Sequence, residues 1–388
     1  MRECAKPLVL YGMGNGADKI LDWCEENKVK VQGVFASDEF VRGQQFRGFT
    51  VERYDALKER LGEELLVVIA FASERPEVLQ RFAELDAEQE VVAPHLPLFE
   101  EEETVSSAWL QRYETELQAA YDLLADDRSR EVFSATLNYK LSGKIKYLFA
   151  CETQRVEDIR ELLAPAQDEV YLDLGAYNGD TIRELGELTD WQWREVVAVE
   201  PDRRNCRKLR ILAEELAERG LPVEVHEAGI WSEQGELGFS DSGGRQSTFI
   251  GAEKKTVPVT TIDALAEGRE VSLIKMDVEG AELQALAGGR ETLQKAAPKL
   301  FIAAYHYDVD LFRLPLLLQE IVPQYKIYLR KHPYVPAWEL NYICTKQSGT
   351  QNDHVGQKTS NVISWWNVRL NNVKVTQKAK NMLKKCKV

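Results

Sequence analysis

The sequence has six cysteines but no CxxC pair: Cys4, Cys24, Cys151, Cys206, Cys344 and Cys386 stand far apart. That scatter excludes a disulfide framework and a thiolate zinc site, and it predicts reduced thiols in a cytoplasmic protein. No apolar run approaches the roughly 18 residues of a membrane span, and the short run near the N-terminus breaks at glycines, so neither a transmembrane segment nor an export signal is expected. Basic residues are in deficit. The 49 Lys and Arg against 63 Asp and Glu give a net charge of −14, which repels a nucleic-acid polymer over most of the surface. The deficit is uneven: from Lys346 to Val388 nine Lys or Arg stand against Asp353, giving +8, so residues 1–345 carry −14 − 8 = −22.

What is present is the profile of a globular chain, 44% hydrophobic and 388 residues long, enough for two folded domains. Residues 1–99 alternate strand-like runs (8–11, 29–35, 65–71) with helical ones, which predicts a small, parallel, doubly wound sheet. Pro94, Pro97 and the acidic run 100–103 close this unit near Phe99. Residues 100–150 read as a helical connector, with Leu110, Tyr113, Leu117, Tyr121 and Leu124 on one face, serving either as packing between domains or as a lid. A second alternating series fills residues 151–346, with strands at 170–175, 196–200, 223–229, 271–277, 300–306, 325–330 and 341–345, the last two able to pair antiparallel. Residues 347–388 form a basic tail without periodicity, read as flexible. In the rival reading it is an amphipathic helix whose Trp365 and Trp366 touch an anionic surface.

Chemistry concentrates at the strand ends of the second series, the edge where open α/β sheets bind ligands. The run Asp173-Leu-Gly175-Ala176-Tyr-Asn178-Gly179 sits where a buried strand meets a helix, and its glycines permit close backbone approach. Glu200, followed by Pro201, ends the next strand 27 residues after Asp173, placed to accept hydrogen bonds from both hydroxyls of an adenosine ribose. The phosphate-cradling glycine pattern is missing here, which favours an adenosyl ligand without a pyrophosphate, such as S-adenosylmethionine. The fourth strand delivers Lys275, Asp277, Glu279 and Glu282; Asp277 serves either as a helix N-cap or as a catalytic carboxylate. His306 ends the fifth strand and is either a structural histidine or a group that removes a hydroxyl proton. No resident metal is expected.

Taken together and in order, LDLGAYNGDT, VVAVEPD, GGRQSTFI, VPVTTIDAL, IKMDVEGAE and AYHYDVDLFRLP resemble the FkbM family of methyltransferases over roughly residues 151–345. The resemblance implies a class I seven-stranded sheet that binds S-adenosylmethionine, often with hydroxyl oxygens of sugars or other small metabolites as acceptors. It assigns Asp173, Gly175, Ala176, Asn178, Gly179, Glu200 and Pro201 to the cofactor, with Ala228 and Gly229 along the adenine. It turns Asp277 and His306, as candidate base, and Glu279 toward the acceptor, and matches Ser247 and Thr248 to the family's serine-rich stretch. Arg330 and His332 are placed in the acceptor pocket by likeness to one subgroup. Many members carry an acidic residue two places before the fifth-strand histidine, where this chain has Ala304.

In the first unit Gly12, Gly14 and Gly16 follow a strand and precede a helix, and Asp38 stands 26 residues after Gly12. That fits a dinucleotide fingerprint, while the whole unit is similar to the nucleotide-sugar-binding domains of sugar acyltransferases. Three readings stand: a nucleotide or nucleotide-sugar site, a nicotinamide site, or a scaffold. The fold class expected is therefore α/β, two Rossmann-like doubly wound domains joined by a helical connector. The function expected is O-methylation of a sugar or nucleotide-sugar hydroxyl. The alternatives are a natural-product or peptide acceptor, or a cofactor-binding scaffold without catalysis. The acceptor is expected to be a small molecule or glycan, and self-assembly is left open.

Overall fold

The computed structural model describes residues 5–99, 103–239 and 255–346. Two parallel-rich sheets dominate. The first runs β3-β4-β2-β1-β5-β6, from β1 (Leu8–Tyr11), β2 (Val31–Phe35), β3 (Gln45–Phe46), β4 (Phe49–Glu52), β5 (Leu66–Ile69) and β6 (Glu90–Val92). Every pairing in it is parallel except the short β3–β4 hairpin. Side chains alternate along a strand, so both faces of β1 find a core: Leu8 and Leu10 pack with Ala17, Ile20 and Cys24 of the helix Asn15–Glu26, while Val9 and Tyr11 pack with Phe82 and Leu85. The hairpin and β6 are additions to the three strands predicted here.

The second core positions the site. It needs β7 (Val170–Leu174), β8 (Glu195–Val199), β9 (Val223–His226), β10 (Gly229–Ile230), β11 (Gly235–Phe239), β12 (Lys255–Thr260), β13 (Leu273–Met276), β14 (Lys299–Ala303), β15 (Tyr325–Lys331) and β16 (Leu340–Lys346). Seven of them form the sheet β15-β16-β14-β13-β7-β8-β9. Strands β9 to β14 run parallel through β8, β7 and β13; β16 enters antiparallel between β14 and β15, the hairpin predicted from the sequence. The order reverses between β7 and β13, the switch point where such sheets open a crevice. The predicted third strand is shorter than expected: β9 stops at His226, and Gly229–Ile230 turns away into a separate three-stranded sheet, β10-β12-β11.

The connector is helical at Ser107–Arg112, Glu114–Asp122, Asp127–Ser142 and Lys146–Phe149. Its stripe packs rather than covers a site. Leu110, Leu117 and Leu124 are buried, and Tyr113 and Trp109 meet the ring of Phe312 on the helix Asp310–Ile321. Tyr139, Ile145 and Leu148 fill the underside of the first sheet beside Val335 and Ala337. None of its described residues lines the large cavity described next, so the structure gives it the packing role and not that of a lid. Among the described residues no helix is long and apolar enough to cross a membrane.

Candidate active site

A cavity of about 940 Å³ opens over the strand ends at the β7–β13 switch point, near the upper end of the roughly 300–1,000 Å³ range of small-molecule sites. Of the residues singled out in the sequence, Gly175, Glu200, Pro201, Ala228, Gly229, Asp277, Glu279, His306 and His332 line it. Asp173, Ala176, Asn178, Gly179 and Arg330 do not.

Those departures have physical reasons. Asp173 is fully buried: its Oδ2 accepts from the Thr181 hydroxyl at 2.5 Å and its Oδ1 stands 3.5 Å from the Lys275 ammonium. Burial raises the pKa of this carboxyl, against the lowering effect of Lys275. Lys275 Nζ also donates to Gly175 O at 2.7 Å, so Asp173 shapes the loop from beneath through Lys275. Gly179 adopts φ +82°, and a Cβ there would lie 2.4 Å from Leu212; it is glycine so that the loop can press on the helix Arg203–Ala217. Arg330 is occupied by Asp126 and Asp158, at 2.6 and 3.1 Å, with Ser129 Oγ at 2.9 Å. It is a buried tie between the connector and β15. His332 reaches the cavity wall, but its Nε2 lies 3.2 Å from Asp158, and burial holds its pKa below the ordinary value. Ser247 and Thr248 lie outside the described residues, as does the tail.

On one side of the cavity Glu200 is pinned by two backbone amides: Tyr177 N donates to Oε2 and Asp202 N to Oε1, both at 2.9 Å. This fixes the carboxylate at the cavity wall. Burial pushes its pKa up to about 7, opposed by those amides. Tyr177 itself, at φ +46° and 40% exposed, lines the cavity and escaped the sequence reading.

At the opposite end Asp277 follows β13, with its amide still in the sheet pattern to Leu174 O at 3.0 Å. It caps no helix: the next one, Glu282–Ala287, starts five residues later, and Glu282 accepts the Val278 amide at 3.0 Å. Tyr305 Oη donates to Asp277, 3.1 Å from Oδ1 and 3.3 Å from Oδ2. His306, 2% exposed, stands among three carboxylates: Glu282 Oε1 is 3.0 Å from Nδ1, and Glu279 Oε2 and Asp277 Oδ1 are 3.4 and 3.5 Å from Nε2. Burial works against the charged ring, yet the carboxylates, Glu282 foremost, hold its pKa well above the ordinary value. Ala304 is buried with its amide on Leu340 O.

The first unit also reaches this cavity, through Glu74, Pro76 and Leu98. Ser73 and Val335 exchange backbone hydrogen bonds at 2.8 and 3.0 Å, and Phe99 stacks on Tyr307 at 4.4 Å. Its own glycine motif does not line the cavity. A Cβ on Gly12 would lie 2.4 Å from the Phe71 ring and one on Gly16 would lie 2.3 Å from Ala70 O, so both press against the turn that follows β5, whereas Gly14 meets nothing within 4 Å. Asp38 is exposed, 4.0 Å from Arg53.

Residues 173–331 match the model of the methyltransferase FkbM domain. The chain carries an FkbM methyltransferase domain. No curated protein matches the sequence. In fold it is similar to methyltransferase FkbM from Methylobacillus flagellatus KT, with a TM-score of 0.66 and 23% identity over 88% of this chain and 90% of that one, a span that includes much of the first unit. Two other solved structures align over about half of the chain. Precorrin-6y C5,15-methyltransferase from Geobacter metallireducens GS-15 has a TM-score of 0.32 and 13% identity over 50% of this chain and 87% of that one. Fibrillarin from Aeropyrum pernix, solved with natively bound S-adenosyl-L-methionine, has a TM-score of 0.30 and 12% identity over 49% of this chain and 70% of that one. The span matched to the FkbM methyltransferase domain supplies most of the cavity's lining, with Glu74, Pro76 and Leu98 added from the first unit and Arg155, His332, Tyr334 and Trp338 from flanking segments.

Proposed function

We propose that this enzyme transfers the methyl group of S-adenosylmethionine to a hydroxyl oxygen of a small acceptor, a sugar in the simplest case. One observation carries the reading. Glu200, after β8, and the group Asp277, Glu279 and His306, after β13 and β14, face a single cavity from one edge of the sheet. The first suits the two hydroxyls of a ribose, the second a hydroxyl that must lose a proton.

The charge of the lining supports it. Eight carboxylate side chains face four Lys and Arg. That excess favours a sulfonium donor over its neutral thioether product and so assists product release. It also disfavours an acceptor carrying a diphosphate, which points to a free or glycan-borne sugar ahead of a nucleotide sugar. Tyr305, Tyr334 and Trp338 add aromatic surface for the apolar face of a sugar ring. In the transfer, the new O–CH₃ bond forms as the S–CH₃ bond breaks, and the electron pair of that bond stays on sulfur. The hydroxyl proton leaves to the Asp277–Glu279 carboxylate pair that faces the cavity. Holding oxygen and methyl in line is the main contribution this rigid strand-end geometry makes.

Calorimetric titration with S-adenosylmethionine and S-adenosylhomocysteine tests the donor site. Wild type should bind both, and Glu200→Ala should bind at least about tenfold more weakly, since hydrogen bonds to a charged group contribute roughly 1.5–3 kcal/mol each. Absence of binding by wild type would overturn the reading. The pH dependence has a definite sign. Glu200 with a pKa raised to about 7 is protonated below that value and then accepts fewer hydrogen bonds, so donor affinity should fall as pH drops from 8 to 6. From the ionised fraction alone the loss is about tenfold, and it should vanish in Glu200→Gln. Methyl transfer from labelled donor to a panel of sugars and nucleotide sugars tests the acceptor.

A further inference from the structure

We propose that Asp277, Glu279 and His306 form a binding site for a divalent cation at the acceptor end of the cavity, with the Glu282 carboxylate facing the other ring nitrogen. The starting point is a buried ring. His306 is 2% exposed, and neither Nδ1 nor Nε2 makes a hydrogen bond of acceptable geometry. A buried polar group left that way is costly unless something else engages it.

The spacing around the ring fits an ion. Two ligand atoms bound to one cation at about 2.1 Å, and separated by a right to tetrahedral angle, lie roughly 3.0–3.5 Å apart. Glu279 Oε2 and Asp277 Oδ1 stand 3.4 and 3.5 Å from Nε2, which is long for a hydrogen bond and right for neighbouring ligands. A carboxylate oxygen of Asp277, one of Glu282 and a ring nitrogen of His306 all lie within 4.8 Å of one another; Glu279 is outside that group and enters through its 3.4 Å approach to Nε2 from the cavity side. Of the four side chains, Asp277, Glu279 and His306 line the cavity and Glu282 does not. Glu282 Oε1 is instead 3.0 Å from Nδ1, on the side away from Nε2. A carboxylate on the second ring nitrogen is the usual support for a metal-bound histidine.

Charge points the same way. Three carboxylates converge on one imidazole, and the nearby Lys275 is committed to Asp173 and Gly175 O. One imidazole with two carboxylates and open positions suits an ion such as Mn²⁺ or Mg²⁺ more than a thiolate-seeking one. This deepens the reading above and rests on it for where the acceptor sits. The acceptor hydroxyl becomes a further ligand, and the cation lowers its pKa so that its proton leaves more readily to the same cluster. The sequence alone gives metal binding by His306 with Asp277 little support, because the members of this group come from two strand ends and a helix.

The test is a Mn²⁺ titration of the full chain followed by electron paramagnetic resonance, without donor or acceptor. Wild type should bind one ion, displaced by Mg²⁺. Glu279→Gln and Asp277→Asn should weaken binding tenfold or more, and Glu282→Gln should weaken it about 10- to 100-fold through the ring it orients. If the buried Glu282 variant fails to fold, Glu279→Gln still decides, because its side chain is 35% exposed. No Mn²⁺, Mg²⁺ or Zn²⁺ bound at millimolar concentration, or equal binding by all variants, would overturn the proposal. Titrating S-adenosylhomocysteine into the same samples separates the two readings. Donor binding without ion binding removes only the cation site, whereas ion binding without donor binding removes the donor reading.

Discussion

Gly175→Ala should cost several kcal/mol of stability and abolish donor binding together. Gly175 follows β7 at φ +81°, and a Cβ built there lies 1.8 Å from the carbonyl oxygen of Asp277. Neither side can yield cheaply: the Gly175 amide is bonded to Val199 O at 2.9 Å and the Asp277 amide to Leu174 O at 3.0 Å. The left-handed backbone alone costs about 1–2 kcal/mol for a residue with a Cβ, and forcing atoms into a filled site adds roughly 1–3 kcal/mol or more. Relief requires β7 and β13 to part where Glu200 and Asp277 share their cavity, so the variant should lose donor binding as well as melt early. Gly220→Ala is the control. It shares the left-handed backbone at φ +78° but meets nothing within 4 Å, and should lose only the backbone part. Equal melting temperatures for the two variants would show that the close approach of β7 and β13 is not what requires glycine.

The parts of the site legible in the sequence were those where a polar residue ends a buried apolar run. Glu200, Asp277 and His306 stand out that way because strand interiors here read as continuous Val, Ile and Leu, as sheets covered on both faces do. Asp173 follows the same rule in sequence but not in placement. It too ends an apolar run, but its side chain turns inward to Thr181 and Lys275, and alternation alone does not say which face carries the ligand. Glu282 was named with its neighbours in IKMDVEGAE but given no role, since a glutamate entering a helix is ordinary until the fold sets it against His306. Strand β12 escaped because Pro258 interrupts it and demotes the run, and β3 because two residues carry no period. The wall supplied by Glu74 and Leu98 depends on the distant pairing of Ser73 with Val335, which no local pattern encodes.

That joining of distant segments has a second anchor, and its removal should be the other large effect. Asp308 is buried just past β14, and its Oδ1 accepts from Lys140 of the helix Asp127–Ser142 and lies 2.8 Å from His95 Nε2 of the first unit. Lys140 and Asp308 side chains are each 2% exposed, so solvent does not screen the pair. Asp308→Ala leaves an ammonium in the interior without its carboxylate, a change that typically costs about 3–5 kcal/mol. The double variant Asp308→Ala with Lys140→Met should recover most of the loss, because an apolar side chain in place of a buried ion pair is often neutral or better. Thermal unfolding of the three proteins decides the point. A single variant as stable as wild type would mean that Lys140 reaches water, and a double variant no better than the single would mean that the contact to His95, not the ion pair, holds the first unit against the FkbM methyltransferase domain. Should the clamp fail, Phe99 would lose its seat on Tyr307, and with it the wall at Leu98. Donor binding at Glu200 should then outlast acceptor recognition as the structure loosens, since the residues that grip Glu200, Tyr177 and Asp202, both lie within the second core.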